Sequence, residues 1–228
     1  MTSTIPFSGA AAAGYLSGPP RQVPGFESLH RMVSLLLAER VPTAGRVLVV
    51  GAGGGLELRA LAEAHAGWRF EGVDPSADML ALARQTVGPH GARVGLHQGT
   101  IEVAPPGPYD GAVSLLTFHF IAREQRLETL RQIRRRLRPG APLALAHISF
   151  PQEEPARAQW VARHVAYGAA EGTDAAQLAS AREAIGTRLS ILAPEEEEAM
   201  LAAAGFEGIS LFYAGLSFRG WVAYADGG

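Results

Sequence analysis

Three residue patterns in this chain could do chemistry, and the first is a glycine-rich turn. Residues 47–58 read VLVVGAGGGLEL, an apolar run that ends in four glycines within five residues. Glycine lets a backbone come very close to a ligand, because no side chain stands in the way. The dinucleotide pattern G-x-G-x-x-G would need a glycine at position 56, where Leu56 stands. The sequence satisfies G-x-G-x-G instead, at Gly51, Gly53 and Gly55.

The second pattern is an acidic residue at a fixed distance from these glycines. The segment WRFEGVD, residues 68–74, is typical of a strand and ends in Asp74, which lies 21 residues after Gly53. An acidic side chain about 20 positions on, at the tip of the second strand, accepts hydrogen bonds from ribose hydroxyls. The alternative role for Asp74 is a helix cap or an Asp-Pro turn. Together the two patterns indicate a ligand that contains adenosine.

The third pattern consists of histidines that follow the next two apolar runs. His119 and His147 come near the ends of the segments predicted as the fourth and fifth strands. Open α/β sheets bind ligands at the carboxyl ends of their strands, so each could be a general base for a hydroxyl acceptor. Each could equally be a surface or capping histidine. Tyr167 could face a cationic ligand by cation–π attraction, or could be a residue of the core or of a lid.

Alternating strands and helices must position these groups, and hydrophobic periodicity predicts where they are. The predicted strands lie in 46–50, 68–74, 92–98, 109–120 and 141–150, and the predicted helices are 26–40, 56–66, 77–87 and 122–138. Strands that alternate with helices indicate βαβ units and a mostly parallel sheet. Ser76 is the predicted N-cap of the helix at 77–87.

The remaining segments differ from this alternation. Residues 151–204 are rich in Ala and predict two or three inserted helices, and GISLFYA with LSFRGWVAYA predicts a terminal hairpin joined at Ala214–Gly215. We therefore expect a flexible N-terminal arm at 1–24 and one domain at 25–228, in which 151–204 forms a helical lid.

Composition excludes several function classes. All 20 basic residues are Arg and there is no Cys, which excludes catalytic lysine, disulfides, thiolate zinc sites and cysteine nucleophiles. The net charge of −2 gives no global attraction to nucleic acid or membrane. Glu124 and Glu128 interrupt the arginine-rich segment 123–138, which favours a solvated helix over an RNA-binding surface.

The sequence also predicts the location of the protein, its metal content and its partners. There is no apolar run of about 18 residues that could span a membrane, and the first 22 residues lack the basic and apolar regions of a signal peptide. We expect a cytoplasmic protein with no metal, because no cluster of His, Asp and Glu has convincing metal-ligand spacing. The expected partners are a small-molecule substrate and, at most, a second copy of the chain in a homodimer.

At these residues the sequence resembles the class I S-adenosylmethionine (SAM)-dependent methyltransferases. The resembling segments, in the order and spacing of that family, are VLVVGAGGG, EGVDPSADMLALAR, YDGAVSLLTFHFI and LRQIRRRLRPGAPLAL. The resemblance extends through AGFEGISLFYAGLSFRGWVAY to nearly the whole chain. It implies SAM as cofactor and a Rossmann-like, doubly wound α/β fold. Its seven strands would take the order 3-2-1-4-5-7-6, with the last strand antiparallel.

Within the family, the pattern is closest to carboxy-SAM synthase-like members. The resemblance implies a cofactor site formed by Phe26, Gly51, Ala52, Gly53, Gly55, Asp74, Pro75, Met79, Thr100, Ile101, Leu115 and Arg182. In those members, the arginine that matches Arg182 grips the added carboxylate. Four positions depart from their pattern: Phe26 stands where Tyr is expected, Thr100 and Val49 where acidic residues are common, and Leu115 where Asn is.

Three functional hypotheses follow. The first is a SAM-dependent methyltransferase that acts on an oxygen or nitrogen of a small molecule. The second is an enzyme that consumes SAM without an external acceptor, by a ring closure that releases methylthioadenosine or by carboxy-SAM-type chemistry. The third is a SAM-binding module without catalysis. Arg182 either binds a carboxylate or forms a surface ion pair, for instance with one of Glu195–Glu198.

Overall fold

The computed structural model describes residues 15–170 and 172–227, and its centre is a seven-stranded sheet. The strands are β1 (Arg46–Val50), β2 (Arg69–Asp74), β3 (Val94–Gln98), β4 (Gly111–Leu115), β5 (Pro142–Ile148), β6 (Phe206–Gly215) and β7 (Phe218–Ala225). Their order across the sheet is β3-β2-β1-β4-β5-β7-β6. Strands β1 to β5 pair in parallel, and β7 runs antiparallel to β5 and β6. The predicted fold class and strand order are confirmed.

Helices cover both faces of this sheet. They are α1 (Gly18–Gln22), α2 (Phe26–Ala38), α3 (Leu56–Ala64), α4 (Ala77–Val87), α5 (Arg123–Arg136), α6 (Ala156–Gly168), α7 (Ala175–Arg188) and α8 (Pro194–Ala203). One face packs against α2, α3, α4 and α6, and the other packs against α5 and α8. Because β1, β4 and β5 are covered on both faces, they bury consecutive residues rather than alternate ones, and most of these residues are apolar.

Local sequence explains the helices that flank the site. Leu29, Val33 and Leu37 recur every four residues on α2 and are fully buried against the sheet, as expected of an amphipathic helix. Ser76 caps α4 as predicted, since its hydroxyl accepts a hydrogen bond from the backbone N–H of Met79 at 3.3 Å.

The structure corrects two boundaries of the predicted hairpin and arm. The turn between β6 and β7 is Leu216–Ser217, not Ala214–Gly215, because Gly215 still pairs with Phe218 and Leu216 takes the left-handed conformation at φ 54°. Residues 15–22, predicted as part of a flexible arm, are helical, and the first 14 residues lie outside the described part of the chain.

The segment 151–204 forms three helices, as its composition predicts, but they have different neighbours. Helices α6 and α7 pack against each other at the carboxyl edge of the sheet, whereas α8 packs against α5 and β6. We therefore propose that only α6, α7 and the following loop act as a lid. Across residues 15–170 and 172–227, none of the helices has the length and apolar character that crossing a membrane requires.

Candidate active site

A cavity of about 800 Å³ opens at the carboxyl ends of the central strands. Its floor is the end of β1, β2, β4 and β5, and its walls come from residue 15, α1, α5 and α6. Eight of the predicted site residues line it: Gly51, Gly53, Asp74, Pro75, Met79, Thr100, Ile101 and His119. The position agrees with the general rule that open α/β sheets bind ligands outside the carboxyl ends of their strands.

The glycine loop between β1 and α3 forms one wall of the cavity. Gly51 and Gly53 have left-handed backbone conformations, with φ of 78° and 47°, which residues other than glycine rarely adopt. A Cβ on Gly51 would come within 2.0 Å of the Thr117 hydroxyl, and one on Gly53 would lie 3.1 Å from the Tyr15 hydroxyl. The absence of side chains at these two positions therefore lets Thr117 and Tyr15 come close to the backbone of the loop.

Asp74 is the last residue of β2, and backbone amides hold its carboxylate in place. Its Oδ2 accepts from the N–H of Gly53 at 2.9 Å, and its Oδ1 accepts from the N–H of Ser76 at 2.9 Å. Burial raises the pKa of Asp74, and these two hydrogen bonds oppose that rise. Each oxygen keeps a further lone pair for a ligand hydroxyl, so the carboxylate is fixed in place before a ligand binds.

His119 also lines the cavity, from the short 3₁₀ helix Phe118–Phe120 that follows β4. Only 4% of its surface is exposed, and its Nδ1 accepts from the backbone N–H of Ile148 at 3.4 Å. Burial, followed by the nearby charges of His147 and Arg126, holds the pKa of His119 well below its ordinary value. The ring is therefore neutral near pH 7.

His147 is not at the cavity, which corrects its assignment as a candidate base. It is fully buried in β5, its Nε2 lies 2.8 Å from Glu197 on α8, and its ring stacks on Phe118. Successive residues of a strand point to opposite faces, so His147 faces α5 and α8 while Ile148 lines the cavity. Glu197 in turn receives a hydrogen bond from Arg126 of α5.

Tyr167 and Arg182 also lie away from the cavity. Tyr167 is 47% exposed near the end of α6, so it does not enclose a cationic ligand in this structure. Arg182 is exposed on α7, where it borders a separate shallow cleft with Arg157 and Glu183. Within the described residues Arg182 forms no ion pair. Of the partners predicted for it at 195–198, Glu196 and Glu197 pair with other arginines, and Glu198 accepts a hydrogen bond from Trp221.

Four further residues predicted for the site do not line the cavity. Phe26 starts α2, is 8% exposed, and packs edge-on against His30 at 4.4 Å, so it belongs to the core. Leu115 and Ala52 are buried beneath the cavity floor. A Cβ on Gly55 would lie 2.9 Å from the Cα of Ala83, so this glycine serves the close packing of α3 on α4.

Two residues beside the glycine loop have no feature in the sequence that predicts a role at the site. Tyr15 lies across the glycine loop and lines the cavity, and a Cβ on Gly54 would meet its ring at 2.7 Å. Glu57 is buried in the first turn of α3, where burial and then the nearby Asp74 raise its pKa to about 8. Its carboxyl is therefore mostly protonated near pH 7.

No metal centre is seen among the described residues, where His, Asp and Glu form no group of three or more that could hold an ion. The electrostatics of the cavity are set by carboxylates instead. Among the described residues, the lining includes the acidic side chains of Asp74, Glu102, Glu124 and Glu128 and no arginine. A cationic ligand is favoured over an anionic one at this end of the site.

Comparison with known proteins relates part of this chain to methyltransferases. Residues 47–140 match the family model of a methyltransferase domain. The chain is 27% identical over 213 residues to carboxy-S-adenosyl-L-methionine synthase of Chromohalobacter salexigens, a match that covers 90% of this chain and 78% of the relative.

Solved structures share the fold over almost the whole chain. An O-methyltransferase family protein from Burkholderia thailandensis superposes with a TM-score of 0.68 at 14% identity, covering 96% of this chain and 60% of that one. Phosphoethanolamine N-methyltransferase 2 of Haemonchus contortus, in complex with SAM, gives a TM-score of 0.66 at 16% identity, covering 94% and 57%. The chain thus spans less than two thirds of the length of these structural neighbours. We conclude that residues 47–140 match a methyltransferase domain and that the chain has the fold of the SAM-dependent methyltransferases.

Proposed function

We propose that this protein binds SAM in the cavity and transfers its methyl group to an oxygen or nitrogen atom of an external small molecule. The observation that carries the proposal is the extent of the cavity. From the glycine loop and Asp74 it continues past the ends of β4 and β5 to His164 on α6. Its volume of about 800 Å³ is near the upper end for ligand clefts, which leaves room for an acceptor beside SAM.

The residues of the cavity fit SAM one part at a time. The carboxylate of Asp74 would accept hydrogen bonds from the ribose hydroxyls, and Thr100 and Ile101, after β3, would border the adenine. Gly51 and Gly53 would allow the methionine part to lie against the backbone. When bound, SAM supplies a methyl group that its sulfonium already activates, so the protein chiefly has to hold the acceptor in line.

The charge of the cavity agrees with this assignment. SAM is a sulfonium cation, and the four carboxylates of the lining, without an arginine among the lining residues, favour a cation. The same observation argues against carboxy-SAM-type chemistry. Arg182, which the resemblance would assign to an added carboxylate, borders a different cleft, between α6 and α7.

A second candidate function is consumption of SAM without an external acceptor, either by ring closure with release of methylthioadenosine or by carboxy-SAM-type chemistry. The observation in its favour is that the relatives named carboxy-S-adenosyl-L-methionine synthase match about 90% of this chain. The third hypothesis, a binding module without catalysis, is not carried further, because a methyltransferase domain and this fold together indicate an enzyme.

Calorimetry tests the assignment of the cavity. We expect SAM and its demethylated product, S-adenosylhomocysteine, to bind with dissociation constants at or below about 100 μM, equivalent to roughly −5.5 kcal/mol. NAD is the matched control, because it carries adenosine but needs the glycine that Leu56 replaces. The assignment fails if neither SAM nor S-adenosylhomocysteine binds at that concentration, or if NAD binds as well as they do.

A further inference from the structure

Two imidazoles line the cavity beside the paired ends of β5 and β7. His119 is hydrogen bonded to the backbone of Ile148, and the ring of His164, on α6, lies 5.5 Å from the ring of Phe218. Ile148 and Phe218 are direct partners in the antiparallel β5–β7 ladder. Residues paired in this way have Cα atoms about 5 Å apart, so the two histidines lie beside the same pair of strand residues.

The hydrogen bond at Ile148 determines where the proton of His119 lies. A backbone N–H can only donate, so Nδ1 of His119 is an acceptor and carries no proton. A neutral imidazole keeps one proton, and in His119 it must therefore be on Nε2. The only basic lone pair of the ring is already occupied, which leaves His119 as a hydrogen-bond donor and not as a base.

The contact with Ser217 determines the proton of His164 in the same way. Nδ1 of His164 lies 2.6 Å from the hydroxyl oxygen of Ser217, which is fully buried. Within the described residues that hydroxyl has no other hydrogen-bond partner. If Nδ1 were the donor, a buried hydroxyl proton would be left without an acceptor, which is costly. Ser217 therefore donates to Nδ1, and the proton of His164 is on Nε2.

Both Nε2–H groups are available to a ligand. Neither nitrogen makes a hydrogen bond within the described residues, and neither is a fully buried atom without a partner. Both residues line the cavity. Burial lowers the pKa of His164 as it does that of His119, so both rings are neutral donors near pH 7. Around them the lining is apolar, from Ile148, Leu189 and Phe218.

We propose that the Nε2–H groups of His119 and His164 form a two-donor site for a carboxylate or carbonyl oxygen of a bound ligand. The proposal rests on the assignment of the cavity to SAM and its acceptor. The oxygen belongs either to the acceptor molecule or to the methionine part of SAM. In both cases the two histidines orient the ligand, and neither acts as the general base. They would also take the carboxylate-binding role that the family resemblance implies for Arg182.

The first test reads the tautomers directly. Long-range ¹H–¹⁵N NMR of the unliganded protein at neutral pH should show the Nε2–H form for both His119 and His164. An Nδ1–H form of either ring would overturn the proposal whether or not SAM binds, so this result is independent of the proposed function. Ser217→Ala should release His164 into a mixture of tautomers and leave His119 unchanged.

The second test identifies the oxygen by calorimetry. With protein saturated by S-adenosylhomocysteine, benzoate and benzamide offer an oxygen acceptor, and benzylammonium is the control of matched size. In parallel, SAM is compared with decarboxylated SAM. In His119→Phe and in His164→Phe we expect a roughly tenfold or greater loss in one of two quantities. The first is the affinity for benzoate or benzamide, and the second is the affinity for SAM relative to decarboxylated SAM. His164→Gln, whose amide can replace the Nε2–H donor, should recover most of the loss, and His97→Phe at the far edge of the sheet should have no effect.

The two sources give different outcomes. If only benzoate or benzamide responds, the oxygen belongs to the acceptor; if only the advantage of SAM over decarboxylated SAM disappears, it belongs to SAM. The proposal is overturned if neither source responds to the phenylalanine variants, or if benzylammonium loses as much affinity in them as benzoate does. Those results would leave SAM dependence intact, because it is tested separately by SAM binding to the unmodified protein.

Discussion

Asp74→Ala is expected to weaken SAM binding about a hundredfold or more, since two hydrogen bonds to a charged group contribute about 1.5–3 kcal/mol each. The variant loses the bonds to the ribose hydroxyls. It also leaves the backbone N–H of Gly53 and of Ser76 without the acceptor that holds them at 2.9 Å. The glycine loop should therefore lose order along with the ribose contact. Calorimetry with SAM measures the change.

Asp110→Ala is the matched control for this effect. Asp110 is as buried as Asp74, at 7% against 9% exposed, and it also accepts from a backbone amide, that of Arg46 at 2.8 Å. It lies at the start of β4, at the opposite edge of the sheet from the cavity. We expect it to lower stability without changing SAM affinity. SAM binding by Asp74→Ala as tight as that of the natural protein would refute the ribose assignment.

The largest effect on stability is expected from Glu197→Gln. Glu197 and Arg126 are at most 1% exposed, and the guanidinium donates to this carboxylate and to the backbone carbonyls of Ser190 and Ile121. Removing the negative charge leaves a buried cation without compensation, which costs about 3–5 kcal/mol. For a chain of this size, the midpoint of thermal unfolding should fall by roughly 6–20 °C. Calorimetric or circular-dichroism melting measures the change.

Glu196→Gln is the control for the buried pair. Glu196 is the neighbouring residue and pairs with Arg123, but both side chains are exposed, at 37% and 58%. An exposed ion pair contributes about 0–1 kcal/mol, so this variant should melt within a few degrees of the natural protein. Equal melting temperatures for the two variants would contradict the assignment. Replacing Arg126 and Glu197 together by methionine should restore much of the stability, because no charge is then left unpaired.

The stabilisation of the folded protein by Glu197 should decrease at acidic pH. Burial by itself would raise the pKa of Glu197, but His147 and Arg126 outweigh it and hold the pKa below its ordinary value of 4.5. A carboxylate with a lowered pKa in the folded state stabilises the protein above that ordinary value and loses the effect as the pH falls through the folded pKa. The difference between the natural protein and Glu197→Gln should accordingly be full near pH 6 and shrink below pH 4.5.

The parts of this structure that the sequence predicts are those that depend on local pattern. Strand β1 matches its prediction at both ends, because the four apolar residues after Arg46 run directly into a glycine turn. Asp74 could be placed at the tip of β2 by its spacing from Gly53, and the two are hydrogen bonded. The order of the strands followed from the family resemblance and not from periodicity.

The parts that the sequence does not predict depend on tertiary contacts. His147 and Ile148 point to opposite faces of β5, but that strand is apolar on both faces, so its pattern does not tell which residue meets the cavity. Tyr15 lies in a segment without hydrophobic periodicity, and only the folded chain brings it to the glycine loop. Arg182 is on α7, which buries none of its described side chains and therefore has no face that a pattern could reveal.

The fate of SAM tests the central claim most directly. The purified protein is incubated with SAM alone and with candidate acceptors, and the products are separated and identified by mass spectrometry. Transfer to an external molecule predicts that SAM alone stays intact, and that S-adenosylhomocysteine and a methylated acceptor appear together only when an acceptor is present. Accumulation of methylthioadenosine from SAM alone, or of a carboxylated SAM when a carboxyl donor is also supplied, would contradict methyl transfer and establish the alternative.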